Sequence, residues 1–160
     1  MKKILLALML LSLFRTGANA QSHITINNYT DCDVWVSVKY QDITGCQYFS
    51  GVFLVSAGTS PVYYYTGVPS PWIPPGCVFP NLPNDFGYFF TATVYDADPV
   101  TCVSPGSCTV GACFPYSASS SIGPLSSCSK CGSSSLNCIM SNPCPPNIIT
   151  GAQASTLTIN

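Results

Sequence analysis

Apolar and polar positions alternate over His23-Ile24-Thr25-Ile26-Asn27 and again over Val34-Trp35-Val36-Ser37-Val38-Lys39-Tyr40. A period of two places successive side chains on opposite faces of an extended chain, so each run predicts a strand with one buried face. In the second run Val34, Val36, Val38 and Tyr40 share one face, and Trp35, Ser37 and Lys39 share the other. Residues 49–55, 61–66 and 88–95 are further strand candidates. The last alternates as Phe89, Thr91, Thr93 and Tyr95 against Phe90, Ala92 and Val94. Gly45, Gly51, Ala57-Gly58, Gly67 and Pro83-Asn84-Asp85 stand where turns are needed.

The end of the chain has the rhythm of its beginning. Ser155-Thr156-Leu157-Thr158-Ile159-Asn160 matches the beat of Ser22-His23-Ile24-Thr25-Ile26-Asn27, which predicts a closing strand. Strong helix formers are scarce while β-branched, aromatic, Gly, Pro and Ser residues dominate, so helix has little support. The expected fold is all-β, an antiparallel β-sandwich of immunoglobulin-like or jelly-roll-like type. Residues 101–150 break the pattern. Seven of the ten cysteines lie there among Ser- and Pro-rich stretches with almost no periodicity, which predicts a disulfide-rich, loop-dominated lobe.

The chain opens with Lys2 and Lys3, an apolar run from Ile4 to Phe14, and the small residues of Ala18-Asn19-Ala20. That order predicts residues 1–20 as an export signal cleaved before Gln21, leaving residues 21–160 as a single disulfide-stabilised β domain. The run is short of the roughly 20 apolar residues a membrane span takes, and no later stretch reaches that length. Export places the cysteines in an oxidising compartment, secreted or periplasmic. Cys32, Cys46 and Cys77 precede the lobe; Cys102, Cys108, Cys113, Cys128, Cys131, Cys138 and Cys144 lie within it. Three against seven means that, if all ten pair within the chain, at least one bridge ties the lobe to the strands.

Charge narrows the partners. After cleavage only Lys39 and Lys130 are basic, against six aspartates and no glutamate, a net charge of −4. Two lysines cannot neutralise a run of phosphates, which argues against nucleic acid. Cys128-Ser129-Lys130-Cys131 has the spacing of a zinc knuckle, but no second pair of that spacing completes it, and no cofactor is expected. The one histidine, His23, stands near the mature terminus and is poorly placed as a catalytic base. A hydrolase would have to draw its carboxylates from Asp96 and Asp98, whose Asp96-Ala97-Asp98-Pro99 context also reads as a turn. Asp31 with Asp33, and Asp96 with Asp98, are in addition two candidate oxygen pairs for calcium.

Aromatic residues point towards binding. Tyr63-Tyr64-Tyr65 must send at least one ring to solvent, and Trp72 sits in the proline-stiffened Pro69-Ser70-Pro71-Trp72-Ile73-Pro74-Pro75. Rigid aromatics give contact area at low entropy cost, which suits a protein or glycan partner. Ile24-Thr25-Ile26-Asn27-Asn28 followed by Val34-Trp35, with Ala57-Gly58-Thr59-Ser60 after them, resembles the opening strands of thaumatin-like proteins. The resemblance stops near Ser60; Cys32 is displaced from that family's spacing, its acidic-cleft pattern has no counterpart, and its cysteine framework is larger. It implies a shared way of building a disulfide-rich sandwich. The expectation is an exported, non-catalytic binding or structural protein, with a small secreted hydrolase using aspartate pairs as the alternative.

Overall fold

The computed structural model describes residues 22–42, 47–64, 87–111, 116–141 and 154–160. Ten strands occur among them and no helix: β1 (His23–Asn28), β2 (Val34–Asp42), β3 (Gln47–Phe49), β4 (Phe53–Val55), β5 (Val62–Tyr64), β6 (Gly87–Tyr95), β7 (Ser107–Gly111), β8 (Ser119–Ile122), β9 (Leu136–Ser141) and β10 (Ala154–Ile159). They form two open sheets. The first runs β5-β1-β10-β9-β8; the second runs β3-β2-β6-β7, with β4 also paired to β2.

The two alternating runs bury the faces their patterns predict. Ile24 and Ile26 of β1 and Val34, Val36, Val38 and Tyr40 of β2 join one core cluster that draws on both sheets. Each fully buried Ile, Val or Leu side chain contributes roughly 1.5–3 kcal/mol of apolar transfer free energy, so the alternation itself drives the sheets together. The matching rhythm of the two ends has a structural consequence. β1 and β10 lie side by side in the first sheet, with Ile24 opposite Ser155, Ile26 opposite Leu157 and Asn28 opposite Ile159. The pairing is parallel, so the first sheet is mixed and not antiparallel as the sequence suggests. Two strands with the same beat running in the same direction turn their apolar sides to the same face, and the whole intervening chain serves as the crossover.

Residues 101–150, where an irregular lobe is expected, supply three strands. β7 closes one edge of the second sheet, and β8 and β9 complete the first. Leu136, Cys138 and Met140 alternate into the core from β9. The pattern is easy to miss because the outward Ile139 interrupts it and a cysteine occupies its middle. Residues 49–55 form two strands and not one. Ser50 keeps half of its pairing with β2, donating its N–H to the Val38 carbonyl at 3.0 Å, but meets the Val38 N–H with its Oγ, at 2.9 Å, and Gly51 follows with φ of 71°, a conformation that favours glycine.

β6 departs from simple alternation as well. Lys39 lies opposite Thr91 but Tyr40 lies opposite Phe89, so Phe90 and Thr91 together answer one step of β2. This bulge sends Phe89 to the core beside Ala92 and Val94, the reverse of the facing a strict period of two predicts.

Three disulfides tie the described chain. Cys108 of β7 and Cys138 of β9 join the two sheets through the core, Cys32 pairs with Cys131, and Cys102 pairs with Cys128. The Cys32–Cys131 bridge, spanning 99 residues of sequence, is the tie from the first strands to the later part of the chain that parity requires. Such covalent ties fit a protein of an oxidising, extracellular-type compartment. Cys46, Cys77, Cys113 and Cys144, and the proposed signal at residues 1–20, lie outside the described residues.

Candidate functional site

β5 is the edge strand of the first sheet, and it separates the tyrosines as the pattern predicts. Tyr63 turns inward and packs against Phe53 with ring centroids 4.5 Å apart; this burial pushes its phenol above the ordinary tyrosine value. Tyr64 turns outward, 48% exposed, with the His23 ring 5.7 Å away. Trp72 and Tyr65 fall outside the described residues.

The four described aspartates of the two candidate pairs are each engaged by the protein. Asp31 accepts the Gly132 N–H beside the Cys32–Cys131 bridge, and Asp33 accepts the Ala57 N–H at 2.9 Å. Asp96 is buried, and its carboxylate accepts the N–H groups of Gly106 and Ser126 and the Ser126 hydroxyl. Asp98 stays near the surface and holds its own turn: Oδ1 accepts the Val100 N–H at 2.9 Å, and Oδ2 accepts the Thr101 hydroxyl at 3.1 Å. Asp96 and Asp98 therefore serve different partners, and no cluster of three metal-ligating side chains occurs among the described residues. The spacing of Cys128 and Cys131 has no joint role either, because each is bonded to a different distant cysteine.

A different group of residues converges. The outer face of the second sheet carries Trp35, with Leu54 of β4 and Tyr95 of β6 as its cross-strand neighbours. Beyond the end of β6 the chain folds over in the Asp98 turn, where the N–H groups of Thr101 and Cys102 donate to the Asp98 carbonyl at 3.2 and 2.8 Å. The Cys102–Cys128 bridge then fixes this turn to the loop that carries Lys130. Between these walls lies an open cleft of about 210 Å³ lined by Trp35, Ala97, Asp98, Thr101, Lys130 and the bridge itself. One indole, one carboxylate, one hydroxyl and one of the two lysines that follow residue 20 thus line a covalently braced cleft. A second cleft of about 380 Å³ lies over β8 and β9, lined by Ser119, Ser121, Asn137, Ile139 and Asn160; none of its lining side chains is charged or aromatic.

Comparison with known proteins matched no protein-family model, no curated protein and no solved structure. The case for a site rests on this geometry.

Part of the cleft is visible in the sequence. Asp98 is a candidate there, whereas Trp35, on the face of its alternating run that carries Ser37 and Lys39, reads from the sequence as core or half-buried and not as a site. What the sequence hides is the approach of Lys130, which is 95 residues away from Trp35 and is delivered by the pairing of Cys102 with Cys128.

Proposed function

We propose that this protein is exported, adopts a β-sandwich without catalytic activity, and works by binding a ligand in the Trp35 cleft. The observation that carries the reading is the convergence of Trp35, Asp98, Thr101 and Lys130 on a rim held by the Cys102–Cys128 bridge. A braced rim loses little conformational entropy on contact, so a few well-placed groups suffice for binding. The non-catalytic reading draws support from Asp96. Its carboxylate is buried and accepts three hydrogen bonds from Gly106 and Ser126, so it is not open to the water and substrate that a paired-carboxylate hydrolase must admit.

The test is a protein-observed NMR screen of the mature chain against mixtures of sugars, amino acids, short peptides and nucleosides. Binding at the cleft shifts the Trp35 indole together with the amides of Thr101 and Lys130. Hits that leave these three signals unmoved while perturbing the Tyr64 edge or the Ser119–Ser121 cleft would move the site elsewhere.

A further inference from the structure

We infer that the ligand of the Trp35 cleft is a neutral saccharide, its ring stacked on Trp35 and its hydroxyls held by Asp98, Thr101 and Lys130. This rests on the cleft being the binding site, and the charge pattern then selects the ligand. Asp98 and Lys130 balance each other, and Lys130 forms no ion pair among the described residues. The other mature lysine is engaged elsewhere, its Nζ 4.9 Å from the centre of the Phe49 ring. An anionic ligand would find one cation and a carboxylate facing it; a cationic ligand would find the reverse. A purely apolar ligand would strip water from both charges without pairing either, which is unfavourable. A ligand dense in hydroxyls satisfies both at once, because each hydroxyl donates to the carboxylate and accepts from the ammonium.

The geometry of the acceptor supports the same class. An ionised carboxylate offers about four acceptor positions, and the Asp98 turn occupies two of them with the Val100 N–H and the Thr101 hydroxyl. Those two bonds take one position on each oxygen, and the carboxylate, which lines the cleft, keeps capacity to accept from hydroxyls of a ligand. The Thr101 hydroxyl, having donated to Asp98, keeps acceptor capacity for a further hydroxyl.

Trp35 supplies the remaining element. The C–H-rich face of a sugar ring carries slight positive charge and meets the negative face of an aromatic ring favourably. Tyr95 and the half-exposed Leu54 flank Trp35 on adjacent strands, roughly 4.8 Å away on each side, so the platform extends past one ring and favours a chain of sugars over a single one. The cleft over β8 and β9 has no aromatic side chain to stack on.

The experiment uses the mature protein and soluble neutral glucose, galactose, mannose and N-acetylglucosamine, each as monomer and as linear oligomer, with amino acids, short peptides and anionic sugars as the competing classes. The readouts are the Trp35 indole signal in the native sequence and the emission of a Trp72→Phe variant, in which Trp35 is the one remaining tryptophan. The expected result is saturable binding by one of these series, with a Kd of about 1 mM for the monomer and tighter binding of the oligomer. Lys130→Ala and Thr101→Val should each weaken it about tenfold without changing the melting temperature. If the Trp35 signal responds instead to amino acids, peptides or anionic sugars, and Lys130→Ala abolishes that response, the saccharide inference is overturned while the cleft stands. If a neutral sugar binds and neither substitution matters, the cleft assignment falls with it. Silence of the Trp35 signal to every one of these probes overturns both.

Discussion

Asn28 shows how much a single buried amide can hold. It is fully buried at the end of β1, where its Nδ2 donates to the carbonyls of Cys32, Val55 and Ser56 at 2.9, 3.1 and 3.2 Å. Its Oδ1 accepts the Thr30 N–H at 3.1 Å and the Thr30 hydroxyl at 2.6 Å. One side chain thereby joins the β1–β2 turn to the end of β4. Asn28→Ala strands several of these groups at once, and a buried unpaired group costs about 1–3 kcal/mol; a loss of at least 2–3 kcal/mol in denaturant melts is expected. Asn28-Tyr29-Thr30 is also an acceptor sequence for asparagine glycosylation, a reaction that takes place on the same Nδ2. A glycan there cannot coexist with the fold. In a host that glycosylates secreted chains, folded protein with complete disulfides should carry no sugar at Asn28. Intact-mass measurement before and after amidase treatment checks this, and a folded, glycan-bearing form would refute the assigned role of the side chain.

At the scale of elements, the bulge in β6 decides more than its two residues suggest. By placing Phe90 and Thr91 against one step of β2, it lets Phe89 enter the core edge-on to Tyr40, with ring centroids 5.4 Å apart. The same step buries Thr91, whose Oγ1 has no hydrogen-bond partner among the described residues. Valine has nearly the shape of threonine and brings no polar atom, and removal of an unpaired buried hydroxyl relieves a desolvation cost of about 1–3 kcal/mol. Thr91→Val should therefore raise the melting temperature, an unusual direction for a buried substitution. A lower melting temperature would mean that the hydroxyl is satisfied in solution. β5 supplies a contrast, since its neighbouring tyrosines differ only in direction. Tyr63 packs against Phe53 and the core, so Tyr63→Ala should cost far more stability than Tyr64→Ala, whose ring stands half in solvent.

For the whole molecule, covalent ties and sheet pairing reinforce each other. The Cys108–Cys138 bridge passes through the core between the sheets, with both cysteines buried, while the other two bridges each join one buried cysteine, Cys32 or Cys102, to a more exposed one, Cys131 or Cys128. Replacing Cys108 and Cys138 together by alanine should lower stability by about 2–5 kcal/mol, measured by denaturant unfolding of the otherwise oxidised protein. The loss combines a freer unfolded chain with a cavity where the bridge packed. Non-reducing peptide maps of the mature protein should show the three bridges found here and two more among Cys46, Cys77, Cys113 and Cys144. Free thiols at these four positions in native protein would contradict the expected full oxidation.

The alternation of Ile24 with Ile26, and of Val34, Val36, Val38 and Tyr40, was enough to place β1 and β2 and their buried faces, because solvent and core act on every second residue whatever lies further away. The paired rhythm of the two chain ends likewise announced β10. Cysteine parity required a tie between early and late cysteines without naming it. Tertiary structure alone decided that β1 and β10 run parallel, that the Ser-rich segment supplies strands to both sheets, and that β6 carries a bulge. Each of these depends on a partner far away in sequence, and no local pattern encodes which partner that is. The candidate site divides in the same way. Trp35 shared a face with Ser37 and Lys39 in its run but read as core or half-buried and not as a site, since aromatics also fill sandwich cores, whereas the Asp98 turn was written in Asp96-Ala97-Asp98-Pro99. Lys130 joined them only when the chain folded and the Cys102–Cys128 bridge closed, since the distance between those residues is a property of the three-dimensional path and not of the sequence around either one.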